Sequence, residues 1–182
     1  MLAQQQNAQL EGIEIDSSSF EQLKENVEQS KWVNRISVHH GDIRNLKSNK
    51  KYDFIISNPP FHEKSLTSRS RTSNVARHST ELKLEELIVD IDRLLNDQAT
   101  FAVLLPYYRT TYFEELATER KFHLVEKILV KQSPNHKYFR SVLYYSRTPA
   151  IKPSQTELVI ENESRGYTNE FIELLKDYYL YL

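Results

Sequence analysis

The chain has 182 residues, 39% apolar and 27% charged, with a net charge of −1 and no cysteine. That length buries a substantial core in one domain, and the absence of cysteine excludes a disulfide, a thiolate metal site and a cysteine nucleophile. No apolar run approaches the roughly 20 residues that cross a bilayer; the polar opening Met1-Leu2-Ala3-Gln4-Gln5-Gln6 lacks a signal-peptide pattern, so cytoplasm is the expected compartment.

Leu10-Glu11-Gly12-Ile13-Glu14-Ile15-Asp16 reads as a short strand ending in acids, followed by Ser17-Ser18-Ser19 as the cap cluster of a helix to about Ser30. A carboxylate at a strand end of a nucleotide-binding sheet accepts hydrogen bonds from ribose hydroxyls. Glu14 is the candidate, with Ile15 beside the adenine. Ile36-Ser37-Val38-His39-His40 forms the next strand, closed by Gly41-Asp42-Ile43. There the Asp42 carboxylate suits a cofactor's adenine amine, and the Ile43 backbone N–H suits the ring. Each acid read alone is equally a solvated turn; their order and spacing carry the reading.

Tyr52-Asp53-Phe54-Ile55-Ile56-Ser57 reads as a buried strand, because five of its six residues are β-branched, aromatic or small. It ends at Asn58-Pro59-Pro60-Phe61, at the carboxyl end of a strand, where open α/β sheets place ligands. Two prolines donate no N–H, so nearby carbonyls lack local partners and can face a cleft. The chemistry that suits this turn is methylation of an exocyclic amine. The Asn58 side-chain oxygen and the Pro59 carbonyl each accept one N–H of the amine, directing its lone pair at a methyl donor while positive charge develops on nitrogen. Phe61 stacks on the ring, an interaction of roughly 1–3 kcal/mol per base. The competing reading is a rigid turn with Phe61 in the core.

Residues 63–79 lack apolar periodicity but carry Lys64, Arg69, Arg71, Arg77 and His78. A loop of that length after the turn is either a mobile polar segment or one that closes over a flipped base and meets phosphates. An amphipathic core helix follows over 82–95, then a fully buried strand over 99–106 and a helix over 112–120. The last two strands of the main sheet are expected over 122–130 and 141–146, with 131–140 as the loop between them. Pro149 and Pro153 precede a final strand at 157–160 and a helix from Thr168, with Phe171, Tyr178, Tyr179 and Tyr181 docking it on the sheet. Between residues 120 and 152 stand eight Lys or Arg and one acid, Glu126, so the remainder carries −8 against −1 for the whole. Lys137 and Arg140, at the loop, are the candidate phosphate contacts, with Tyr138 and Phe139 available for stacking; a solvated charged face is the alternative.

Glu-Ile-Asp, Gly-Asp-Ile and Asn-Pro-Pro-Phe, in that order, resemble the second to fourth motifs of the S-adenosylmethionine-dependent amino-methyltransferases. More narrowly, 53–61, Ala76-Arg77-His78, 101–106, 140–146 and the tail resemble the bacterial enzymes that methylate N6 of the adenine 3′ to the anticodon of a valine tRNA. The resemblance implies an α/β fold, a Rossmann-like class I methyltransferase sheet with helices on both faces. It implies one domain over 1–182, with 154–182 as a C-terminal strand and helix packed on it. It also implies S-adenosyl-L-methionine as cofactor, bound at Glu14, Ile15, Asp42, Ile43 and Asn58, and tRNA as substrate, held at Arg77, His78, Lys137 and Arg140. The catalytic set is then Asn58, Pro59, Pro60 and Phe61, with no metal and no covalent enzyme intermediate. The family opens on a strand and a Gly-rich loop, whereas the three glycines here, Gly12, Gly41 and Gly166, lie far apart. The chain is therefore expected to start inside the first βα unit, truncated at the first strand, with weaker cofactor binding. Two other functions fit the same residues: a catalytically silent remnant that binds RNA or a partner, and a protein glutamine-amide methyltransferase.

Overall fold

Two parallel strands, β1 (Leu10–Glu14) and β2 (Ile36–His40), pair in register from Leu10↔Ile36 to Glu14↔His40 in the computed structural model, which describes residues 1–59 and 82–179. They belong to the first of two compact units, Met1–Asn49, the second being Lys50–Leu182. The first unit also holds a short helix, α1 (Leu2–Gln5), and the connecting helix α2 (Ser17–Glu28). The cap of α2 is Asp16, one residue before the expected serine cluster: its carboxylate accepts the Ser19 N–H at 2.8 Å and the Ser18 hydroxyl at 2.5 Å. The aspartate carboxylate, which accepts both bonds, takes the cap position and the serines enter the first turn. Arg35 fastens the unit by donating to the carbonyls of Ala3, Gln6 and Ala8.

The second unit is built on a five-stranded mixed sheet of order β3-β4-β6-β5-β7. Its strands are β3 (Tyr52–Ser57), β4 (Leu95–Pro106), β5 (His123–Lys131), β6 (Tyr138–Ser146) and β7 (Ser154–Val159). β4 is central in the chemistry of folding: it pairs parallel with β3 and antiparallel with β6, and Phe101, Val103 and Leu105 on one face are wholly buried. That face packs against α3 (Leu84–Leu94) and α4 (Thr110–Glu119), whose Leu87, Ile88, Ile91, Phe113 and Ala117 complete the core. Aromatic packing is dense there, with Phe101 stacked on Tyr145 at 5.1 Å and edge-on to Phe122 at 4.9 Å. The last helix, α5 (Asn169–Leu175), is capped by Thr168, whose hydroxyl donates to the Val159 carbonyl and accepts the Phe171 N–H.

Four expectations need correction. β3 is an edge strand rather than a buried one: Ile55 faces the core, but Phe54 and Ile56 are 42% and 57% exposed. β6 begins at Tyr138, so Tyr138, Phe139 and Arg140 are strand residues and not loop; Arg140 pairs with both Pro106 and Val130. β4 starts at Leu95 because Tyr52 pairs with Leu95 and the Asn96 amide donates to Asp53 at 2.7 Å. In the tail, Tyr179 is exposed rather than docked, and Tyr181 lies outside the described residues. Among the described residues no helix is long and apolar enough to cross a membrane, and no cluster of His, Cys, Asp or Glu is arranged to hold a metal.

Candidate functional site

In the first unit the carboxyl ends of the two parallel strands are tied together, the Gly41 N–H donating to the Glu14 carbonyl at 2.9 Å. Glu14 and Ile15 therefore lie beside Gly41 and Asp42. Glu14 Oε1 accepts the Asp16 N–H at 2.8 Å, and Ile15 is 54% exposed. The His40 ring stacks on Phe20 at 5.2 Å and its Nε2 lies 3.2 Å from the Ile15 carbonyl, fixing the backbone at this corner. Asp42 caps a 3-10 turn, Ile43–Asn45, by accepting the Arg44 N–H. The Arg44 guanidinium then grips both oxygens, with Nε at 2.9 Å and Nη2 at 2.6 Å from Oδ2. These charge-assisted bonds, more than any other influence, hold the Asp42 carboxyl below the usual range, so it stays ionised and fixed in direction.

The second unit brings different residues to the carboxyl end of β3. Ser57 pairs with Val103, so Asn58 lies beside the end of β4; Asn58 is exposed and Pro59 buried. Pro60, Phe61, Arg77 and His78 lie outside the described residues. At the same end of the sheet β4 runs into a 3-10 turn, Tyr107–Arg109, next to the start of β6 through the pairing Pro106↔Arg140. The Tyr107 ring packs at 5.2 Å on Tyr138, whose hydroxyl donates to Glu157 at 2.5 Å; Lys131 pairs with the same carboxylate at 2.9 Å. Those two donors depress the Glu157 carboxyl, Tyr138 being the larger cause.

Half of the eight cations between residues 120 and 152 are paired with acids from other elements. Arg120 and Arg147 both pair with Asp92, at 3.5 and 2.8 Å, Lys127 pairs with Glu114, and Lys131 with Glu157. Lys137 and Arg140 make no ion pair among the described residues. Lys137 is exposed; Arg140 is half-buried, its guanidinium 5.5 Å from the centre of the Phe139 ring.

Residues 1–103 match the methyltransferase small domain family. The chain is 34% identical to the tRNA1(Val) (adenine(37)-N6)-methyltransferase of Flavobacterium psychrophilum, an alignment covering 99% of this chain and 78% of that protein. It is 33% identical to the protein of the same name from Proteus mirabilis, covering 100% and 75%. The chain belongs to this methyltransferase family. Solved structures agree on the fold. A predicted O-methyltransferase from Agrobacterium tumefaciens superposes with a TM-score of 0.68 at 14% identity, covering 93% of this chain and 77% of that one. A TehB-like S-adenosylmethionine-dependent methyltransferase from Corynebacterium glutamicum gives 0.52 at 16% identity, covering 80% and 72%. The fold is thus the Rossmann-like α/β fold of class I methyltransferases.

The cofactor of this methyltransferase family is S-adenosylmethionine, and the first unit fits it. An apolar Ile15 surface beside a half-buried carboxylate suits a nucleoside, and an ionised Asp42 one strand away suits an amine donor. Sequence reasoning missed Arg44, the residue that orients Asp42. The signal was present in principle, since an aspartate before a short turn with arginine two residues on is a cap with a built-in counter-ion. It also passed over Tyr107, Tyr108 and Arg109, which fall between the strand expected over 99–106 and the helix expected over 112–120.

Proposed function

We propose that this chain transfers a methyl group to the exocyclic N6 of an adenine in tRNA, adenine 37 beside the anticodon of a valine tRNA, acting in the cytoplasm as a single methyltransferase domain over residues 1–182. The observation that carries the proposal is Asn58-Pro59 at the carboxyl end of β3, beside the central strand β4 of a class I methyltransferase fold.

When bound, S-adenosylmethionine supplies an electrophilic methyl group on a sulfonium. Glu14 accepts from its ribose hydroxyls, Ile15 covers one face of its adenine, and Asp42, with Ile43, meets the adenine edge. Arg44 aims Asp42 and keeps it anionic, so the acceptor is set before any ligand arrives.

Asn58 and the Pro59 carbonyl act on the other partner. Each accepts one N–H of the target amine, which turns the nitrogen lone pair out of conjugation and steadies the positive charge that grows on nitrogen. Pro60 and Phe61, the latter as the ring to stack on the target base, and Arg77 and His78, as phosphate contacts, complete the proposed set outside the described residues. The protein's work is orientation and electrostatics, with no covalent intermediate on the enzyme.

Asn58→Ala tests this. Methyl transfer to tRNA is expected to fall by at least a hundredfold, the scale seen when one such acceptor or donor is deleted, while calorimetric titration gives S-adenosylmethionine affinity within about twofold of the parent. Equal activity in mutant and parent overturns the assignment.

A further inference from the structure

At the end of the sheet where β4 finishes and β6 begins, four aromatic rings divide into two kinds. Tyr107 and Tyr138 pack on each other, and Tyr138 is further held by Glu157 and by the Lys131 ammonium 4.7 Å over its ring. Tyr138 thus has its hydroxyl and a ring face in use, and Tyr107, though 42% exposed, spends one face on Tyr138. Tyr108 and Phe139 are different. Tyr108 is 63% exposed and Phe139 37%, and neither ring packs on another ring among the described residues.

Each exposed ring carries an arginine from the next position in sequence: Arg109 lies 5.6 Å from the centre of Tyr108, Arg140 5.5 Å from the centre of Phe139. Neither arginine is ion-paired among the described residues, and Lys137 adds a third free cation. Of the acids nearby, Glu157 is paired with Lys131, whereas Glu161 and Glu85 accept from neutral donors, the Gln132 amide at 2.6 Å and the Tyr112 hydroxyl, and keep their charge. The rim thus combines open π faces with positive charge, and it stands at the same end of the sheet as Asn58.

We infer that Tyr108–Arg109 and Phe139–Arg140 form a platform for the unpaired nucleotides of an RNA loop, the rings stacking on bases and the cations meeting phosphates. The proposal rests on the tRNA reading above and narrows it to the single-stranded part of the substrate. The physical ground is that bases in a duplex already stack on one another and offer no free face, whereas splayed loop bases stack on exposed aromatic rings. Cations alone serve duplex and loop alike.

Fluorescence anisotropy with two labelled RNAs, a stem–loop and a fully paired duplex of the same stem, separates these contributions. Tyr108→Ala and Phe139→Ala are each expected to weaken stem–loop binding about tenfold, equivalent to about 1.4 kcal/mol, and to leave duplex binding unchanged; Tyr108→Phe binds the stem–loop as the parent does. Arg109→Ala is expected to weaken both RNAs and lower the salt slope by about one. Parent-like stem–loop binding by both alanine variants overturns the platform, as does equal loss on loop and duplex, or failure of the parent to bind the stem–loop. A methyl-transfer assay on the parent is run in parallel. Transfer to tRNA with unaffected alanine variants sinks only the platform, and no transfer with loop-selective loss of binding sinks only the proposed reaction.

Discussion

Tyr145 is 1% exposed and stacked on Phe101, yet its hydroxyl meets no hydrogen-bond partner among the described residues. Burial, and after it the charge of Glu114, pushes the phenol well above the ordinary tyrosine range, so it stays protonated. The ring contributes packing while the hydroxyl carries an uncompensated desolvation cost. Tyr145→Phe is therefore expected to raise stability by about 1 kcal/mol, visible as a higher urea midpoint at unchanged slope; a lower midpoint would reveal a partner for the hydroxyl. Single residues also mark what could be read in advance. The place of Asn58 at the carboxyl end of β3 was legible because the proline neighbours mark where the strand stops. Arg44 was not, since its meaning depends on Asp42 opening a 3-10 turn that no periodicity announces.

Element boundaries follow the same logic at larger scale. β2 and β3 run over the stretches expected from their composition, because apolar, β-branched runs bounded by polar turns leave few alternatives. The early start of β6 and of β4 depends on partners distant in sequence: Tyr138 on Lys131, and Leu95 on Tyr52. The exposure of Phe54 and Ile56 was hidden for a related reason, as an apolar run specifies a strand without specifying its place at a sheet edge. Helix α2 offers a pH test of its own boundary. The Ser18 hydroxyl, and next the Ser19 N–H, hold the Asp16 carboxyl at about 2 against an ordinary 3.8. A folded pKa below the unfolded value means that the cap's contribution is whole above about 3.8 and is lost as the pH falls through about 2. Asn caps about as well as Asp but does not titrate. Asp16→Asn should therefore flatten the dependence of stability on pH over this window, measured by urea unfolding between pH 2 and 5, and identical slopes in the two proteins would place the cap elsewhere.

For the molecule as a whole, a net charge of −1 argues against binding a polyanion, and only the distribution of charge reverses that argument. In sequence the stretch 120–152 looks uniformly basic. In three dimensions Arg120, Lys127, Lys131 and Arg147 are matched by Asp92, Glu114 and Glu157, which come from elsewhere in the chain. What survives at the Asn58 end of the sheet is Lys137 and Arg140, so position, more than the count of charges, should set RNA affinity. The double substitution Lys137→Ala and Arg140→Ala is expected to weaken tRNA binding and reduce the slope of log affinity against log salt by about 1.5 to 2, the release of two phosphate contacts. Arg147→Ala removes a charge of the same sign from the opposite end of β6, where the side chain donates to Asp92 and covers the Phe122 ring at 4.7 Å. That variant should lose stability and keep the parental salt slope. Titrations of tRNA at several salt concentrations compare the three proteins directly. An unchanged slope in the double variant would leave Lys137 and Arg140 as solvated surface and favour a protein amide as the acceptor; a slope lowered in Arg147→Ala to the same degree would mean that total charge, and no particular face, governs the encounter.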